Sequence, residues 1–202
     1  LKLIKKNGEE SKFKVGNQVL NGLIGYMDRT VMMPYCRKTA FTKNEFEKFE
    51  KAIPFIQEVN QKFKELIPEK WKIQNEHAKA TNKNYIISDT SFTTVTINKD
   101  FQTAVHKDAG DLKQGFGNLS CYKTKGCKGG YFVLPQWRVA FDLDNCDLLL
   151  VDVHQWHGNT PITKEIEEDE RISFVMYYRE NTIKCLAPSE ELERVKRANN
   201  KL

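Results

Sequence analysis

The stretch FTTVTINKDFQTAVHKD, residues 92–108, alternates threonine with valine and isoleucine, then delivers a histidine and an aspartate two positions apart. Alternating β-branched residues read as strand, because successive side chains of a pleated backbone point to opposite faces. Short runs of the same character follow one another from about Asn84 to Asn181: YIIS (85–88), FTTVTIN (92–98), TAVHKD (103–108), GNLSCY (117–122), GYFVLP (130–135), VAFDL (139–143), DLLLVDV (147–153), GNTPI (158–162) and ISFVMYY (172–178). Eight or nine strands without an intervening helix predict a double-sheet roll or barrel and exclude a βαβ sheet. DLDN (142–145) reads as the turn between two of them.

Upstream the period changes. TKNEFEKFEKAIPFIQEVNQKFKELI (42–67) places Phe46, Phe49, Ile53, Ile56, Val59, Phe63 and Ile67 at helical intervals. This predicts a core-facing helix capped by Thr42 with Glu45 three later, and broken or kinked by Pro54 near Lys51 to Ile53. Residues 14–33, with three glycines among β-branched residues, predict one or two short strands, and SEELERVKRANN predicts a final helix from Ser189.

The chain has 202 residues, 40% hydrophobic and 29% charged, enough for one domain with a substantial core. No apolar run is long enough to span a membrane and no signal peptide is visible, which makes a cytoplasmic or nuclear, non-secreted protein the expectation. Because the sequence begins at Leu1, an upstream targeting segment lost by trimming stays open. A net charge of +5 is mild; it permits a polyanionic partner without marking a dedicated nucleic-acid binder. The basic runs 1–6 and 193–202 read as solvated termini. Five cysteines, odd in number and without a C-x-x-C pair, predict free thiols and no cysteine zinc site.

On a strand, His106 and Asp108 share a face and Lys107 points away. The pair reads either as an exposed imidazole beside a carboxylate or as half of a metal clamp. His157, directly after DLLLVDV, can meet it in a rolled sheet, some four strands of typical length later. Two imidazoles and one carboxylate on one face form the donor set of non-haem Fe(II) sites, which leaves positions open for oxygen. His154 competes as third ligand or supports one from behind. Arg171 begins the apolar strand RISFVMYY with Ser173 on its face; an inward arginine needs an anion, either an internal carboxylate such as Asp152 or a bound dicarboxylate.

The order H-x-D, H, R-x-S across late strands resembles the Fe(II)/2-oxoglutarate dioxygenases. TVTINKDFQTAVHKDAGDLKQGFGNLSCY, GGYFVLPQWRVAFDL, DLLLVDVHQWHGNTPI and RISFVMYYREN are similar to the ten-eleven-translocation and base-J-binding protein oxygenase family, on its thymine-hydroxylating side and among its phage relatives. A looser match is PYCRKTAFT (34–42).

The resemblance implies an α+β, mainly β fold: a double-stranded β-helix (jelly-roll) core with N-terminal supporting helices and a C-terminal helix. It implies one dioxygenase domain, with supporting strands and helices over 1–83, the catalytic roll over 84–181 and the final helix in 182–202. It implies Fe(II) on His106, Asp108 and His157, 2-oxoglutarate on Arg171 and Ser173 with Asn118 beside it, O₂, and no catalytic side chain beyond the metal ligands. The implied reaction hydroxylates the 5-methyl group of a pyrimidine in DNA, thymine to 5-hydroxymethyluracil, as 2-oxoglutarate becomes succinate and CO₂. Alternatives are 5-methylcytosine, a protein side chain or a small metabolite.

The target methyl is out of reach in stacked duplex, so the base must be flipped into the site. Arg37 and Tyr122 are expected to contact substrate, with Phe116, Trp137 and Trp156 as further stacking candidates. No membrane and no obligate protein partner are implied. The cysteine-rich zinc-binding region of the mammalian branch has no counterpart here, which favours thymine over CpG-directed 5-methylcytosine. A non-catalytic roll with incidental histidines is the reading of a third class.

Overall fold

The computed structural model describes residues 2–4, 10–14 and 20–199, with side chains from 21 to 197. The expected solvated run at 1–6 and the chain's last residues therefore lie largely outside the described side chains. In order, the elements are β1 (Lys2–Ile4), β2 (Glu10–Lys14), β3 (Leu20–Met27), β4 (Arg37–Lys38), α1 (Ala40–Asn44), α2 (Phe46–Leu66), α3 (Pro68–Ala80), β5 (Thr94–Lys99), β6 (Gly117–Lys123), β7 (Cys127–Gly129), β8 (Phe132–Leu134), β9 (Val139–Phe141), β10 (Leu148–Val151), β11 (Gly158–Asn159), β12 (Ile162–Lys164), β13 (Arg171–Tyr177) and α4 (Pro188–Asn199).

The main sheet is antiparallel in the order β10-β6-β13-β5-β3-β4, while β11-β8-β9 and β12-β7 form two smaller sheets. The period of two sorts the main sheet's side chains. Val95 and Ile97 of β5, with Phe174 and Met176 of β13, face α2, where they pack against Phe49, Ile56, Val59 and Phe63. On the opposite face Leu119, Val151 and Val175 meet Phe132, Leu134 and Phe141 of β8 and β9. The fold is thus a jelly roll backed by helices, and β13, paired to both β5 and β6, runs through its centre.

The helical stripe holds but its boundaries differ. Thr39, not Thr42, caps α1, accepting from the Thr42 N–H at 3.2 Å. The Thr42 hydroxyl is committed to the sheet, accepting from the Gly25 N–H at 2.7 Å. Pro54 lies inside an uninterrupted α2. Its ring and Glu50 four residues earlier are both exposed, so the carbonyl left without an amide partner meets solvent. YIIS is a 3-10 turn and a bend, with Tyr85 and Ile87 buried in the helix-side core; the Ile87 N–H donates to Phe92 O at 2.9 Å, closing a turn rather than a strand ladder. Residues 15–19 of the expected early strands lie outside the described residues.

The expectation of free thiols is overturned at two positions. Cys36 and Cys185, 149 residues apart in sequence, form a disulfide with Cα atoms 5.7 Å apart; Cys121, Cys127 and Cys146 are free. Loop closure of this length constrains the unfolded chain strongly. Cys36→Ser, or reduction, is therefore expected to cost about 2–5 kcal/mol, read as a fall in Tm that a reductant produces in the wild type and not in the variant.

Candidate metal centre

Residues 103–108 pair with residues 157–159 only at scattered points. The Asn159 N–H donates to Thr103 O at 3.1 Å, and Asn159 Oδ1 accepts from the Thr103 N–H at 2.7 Å. His106 and His157 then make one isolated antiparallel bridge, each backbone N–H donating to the other's carbonyl at 2.8 and 2.9 Å. The Asp108 N–H reaches Val153 O at 3.0 Å. Gly158 lets the segments approach this closely, since a Cβ there would sit 3.0 Å from Thr103 O and 3.2 Å from Val105 Cα. The histidine and aspartate of the opening stretch therefore converge through a bridge rather than through strand alternation.

The ligand-type atoms of His106, Asp108 and His157 all lie within 4.8 Å of one another. His106 Nε2 is 3.0 Å and His157 Nε2 3.8 Å from Asp108 Oδ1. The far side of each ring is fixed: His106 Nδ1 lies 2.8 Å from Ala104 O, and His157 Nδ1 lies 2.9 Å from Gln155 O. A carbonyl only accepts, so Nδ1 carries a proton in both rings, and in the neutral imidazole this places the lone pair on Nε2, facing Asp108, where a cation can take it. Phe132 stacks on the buried His157 ring, 5.4 Å between centroids. Two neutral imidazoles and a carboxylate suit a divalent first-row ion with open positions. His154 stands outside the group, its Nδ1 2.9 Å from Asp152 Oδ1 and its Nε2 3.3 Å from Asp111 O.

The triad opens on a cavity of about 340 Å³ between the main and small sheets, lined from β5 by Thr96 and Asn98 and from β13 by Arg171, Ser173, Val175 and Tyr177. Arg171 is 6% exposed, and among the described residues its guanidinium has no carboxylate partner. Asp152 engages His154 and Gln155 instead, and Asp100 accepts the Arg171 backbone N–H at 2.7 Å and an ion pair from Lys164. Gly130, at φ +68°, gives the arginine its path: a Cβ there would fall 2.8 Å from Arg171 Cδ and Nε.

Asp111, Tyr177 and Arg179 also line the cavity and were not singled out from sequence. The same count of two from Arg171 that selects Ser173 reaches Tyr177, so that signal was present. Arg179 Nε donates to Asp28 Oδ1 at 2.6 Å. Burial first, then the charge of Asp108, pushes the Asp111 carboxyl up to about 7. A carboxyl raised on folding binds its proton more tightly in the native state. The stability it contributes is complete below its unfolded pKa and is lost as pH rises toward 7. In the metal-free protein, Asp111→Asn is expected to stabilise more at pH 8 than at pH 4, by up to about 4 kcal/mol, measured by denaturant melts at both values.

Other sequence candidates lie elsewhere. Asn118 pairs across β13 with Met176, on the helix-facing side of the sheet; it is fully buried, and its Oδ1 has no partner. Tyr122, opposite Ile172, is on that same side and 46% exposed. Arg37 donates to the carbonyls of Asp28 and Tyr35, outside the cavity but one residue removed from Arg179 through Asp28. Phe116 lies under Lys70, Trp156 under Lys107 on the outer side of the bridge, and Trp137 is exposed.

The chain is 32% identical to thymine dioxygenase JBP1 of Leishmania braziliensis over 81% of its length, and 34% identical to thymine dioxygenase JBP1 of Trypanosoma brucei brucei over 79%. It spans about a fifth of those relatives, 20% and 19%. The solved structure of NgTET1 in complex with 5mC DNA superposes with a TM-score of 0.69 at 15% identity, covering 88% of this chain and 70% of that one, which is a likeness of fold. Residues 22–180 match the model of the oxygenase domain of the 2OGFeDO superfamily, and the chain belongs to that Tet_JBP family.

Proposed function

We propose that this chain holds Fe(II) through His106 Nε2, Asp108 and His157 Nε2, takes 2-oxoglutarate against Arg171 and Ser173, and hydroxylates the 5-methyl group of thymine in DNA. The observation that carries this reading is Arg171, a buried cation that has no acidic partner among the described residues and lies on the wall of the cavity that the His–Asp–His donor set faces. An unpaired buried charge costs several kcal/mol, so the pocket is built for an anion. A carboxylate matches the planar guanidinium in two-pronged fashion. Membership in the 2OGFeDO superfamily supports iron and 2-oxoglutarate as the pair involved.

Bound there, iron with 2-oxoglutarate and O₂ supplies oxidation of an unactivated C–H bond, with succinate and CO₂ as co-products. The chain's own residues do the positioning. The two Nδ1–H donations to Ala104 and Gln155 hold the imidazoles in one tautomer, and Phe132 shields His157 from water. Asp111, Tyr177 and Arg179 line the cavity beside the triad and are offered to the substrate base. Thymine presents an N–H between two carbonyl oxygens; Asp111, in the ionised form that prevails above about pH 7, accepts from the N–H, and Arg179 donates to a carbonyl. The names of the relatives, thymine dioxygenases at 32–34% identity, support thymine ahead of 5-methylcytosine.

The test is incubation with Fe(II), 2-oxoglutarate and O₂ in the presence of DNA containing thymine, cytosine or 5-methylcytosine, followed by nucleoside mass spectrometry. Thymidine is expected to gain one oxygen. Gain only on 5-methylcytosine corrects the base. Gain only in a peptide or metabolite pool removes DNA as substrate.

A further inference from the structure

Between β3 and β4 the chain turns through RTVMM (29–33), and its tip is bare: Val31 is 101% and Met32 92% exposed. Leaving two such side chains in water forgoes about 1.5–3 kcal/mol each of available burial. The turn beneath them is nonetheless fixed. The Thr30 N–H donates to Met33 O at 2.9 Å, and the Met33 N–H donates to Thr30 Oγ1 at 3.0 Å.

The base of the loop is tied to the C-terminal segment four times. Asp28 accepts from Arg179, Arg29 pairs with Glu191 at 2.5 Å, the Cys36 N–H donates to Glu191 Oε2 at 2.8 Å, and Cys36 is bonded to Cys185. A loop braced this heavily at its root, whose apolar tip is left bare by the described residues, presents that tip to something outside them.

Charge and position say what. Arg37 donates to the carbonyls of Asp28 and Tyr35 and lies over the Tyr35 ring, Lys38 lies 4.5 Å above the Phe46 ring, and among the described residues neither pairs with a carboxylate, so the root is flanked by cations suited to phosphates. Asp28 holds Arg179, a wall of the cavity, and Met32 is four residues from Asp28, within about 14 Å of it. Turning a base out of duplex costs a few kcal/mol of stacking and pairing, and apolar side chains inserted between base steps offset that cost.

We propose that Val31 and Met32 are a wedge that enters the base stack of duplex DNA beside the cavity and fills the space the target base leaves. This rests on DNA being the substrate as argued above, and it goes further in assigning these residues to duplex opening. Because both side chains are exposed, Val31→Ser with Met32→Ser leaves the core untouched.

The full-length double variant is compared with wild type in two measurements. One is hydroxylated thymidine formed from duplex and from single-stranded DNA of identical sequence. The other is the fluorescence of 2-aminopurine placed beside the target thymine in the duplex, which rises on unstacking and needs no turnover. Loss of about tenfold or more on duplex, with the single strand unchanged and the fluorescence rise abolished, supports the wedge; Val31→Ile with Met32→Leu is expected to keep both. Equal loss on the two substrates, no loss on either, or a wild-type dimer in sedimentation that the serine variant dissolves, overturns it. A wild-type fluorescence rise that the variant lacks, without hydroxylation of any DNA, keeps the wedge and rejects the proposed chemistry. Absence of both the rise and duplex hydroxylation in wild type rejects the wedge.

Discussion

Asp108→Ala is expected to lower Fe(II)-dependent succinate formation by more than about a hundredfold, because even residues that merely support a metal ligand from behind cost 10- to 100-fold when removed. Asp108 Oδ1 is the atom both Nε2 groups approach, at 3.0 and 3.8 Å, and it is the only negative charge in the donor set. Without it two neutral imidazoles remain, and affinity for a divalent ion collapses. The measurement is made twice, as turnover and as binding of Mn(II), a spectroscopic substitute for Fe(II), followed by its resonance signal. His154→Ala is the control, since both its ring nitrogens lie against Asp152 and Asp111 and neither faces the triad. An Asp108→Ala variant that still binds the ion, or a His154→Ala variant that does not, would sink the proposed ligand set.

The triad was legible in the sequence for a reason only partly correct. Alternation on a strand placed His106 and Asp108 on one face; in the fold that segment is irregular, and the convergence comes from the His106–His157 bridge and the Asp108–Val153 hydrogen bond. The spacing H-x-D survives because one intervening residue, Lys107, is turned outward against Trp156 in either geometry. On β13, by contrast, alternation held residue by residue. Arg171 and Ser173 face the cavity, and Phe174 and Met176 face the helices.

What the sequence concealed depended on parity and on distance. Asn118 and Tyr122 are even-numbered on β6, and the register with Met176 and Ile172 turns them to the helix-facing side, a fact no local pattern carries. The disulfide joins residues 149 apart, so neither cysteine had a neighbour to announce it. Helix α3 was missed because few of its residues are apolar and buried: its buried positions are Gln74 and Ala78. Gln74 is there for its amide, donating to Ser91 O at 3.0 Å, and hydrophobic periodicity is blind to that. Asp111, three residues after Asp108, lies beyond Gly110 at φ +97°, where the strand pattern ends and side-chain direction can no longer be counted.

Arg171→Met is expected to separate folding from function by moving them in opposite directions. Arg171 is 6% exposed and has no acidic partner among the described residues, so in the empty protein its cation lines the cavity largely out of bulk water and without a counter-charge. An apolar side chain of similar volume removes that charge, and replacements of buried charge by such residues are neutral or stabilising by about 1–4 kcal/mol. The variant's Tm without ligands should therefore equal or exceed that of wild type. With 2-oxoglutarate the order reverses. Wild type gains stability by mass action, about 2.7 kcal/mol at a hundredfold excess over Kd, and the variant gains less than about 1 kcal/mol at the same concentration. Loss of one partner of a buried charged pair costs about 2–5 kcal/mol, a thirtyfold to several-thousandfold weaker hold on the cosubstrate. Arg171→Lys separates charge from shape: it keeps the cation but loses the two-pronged contact, and should fall between the two. Mn(II) binding, which depends on His106, Asp108 and His157, should be unchanged in both. If Arg171→Met instead unfolds the protein while leaving 2-oxoglutarate protection intact in the residual folded fraction, the arginine is a structural cation and the dicarboxylate sits elsewhere.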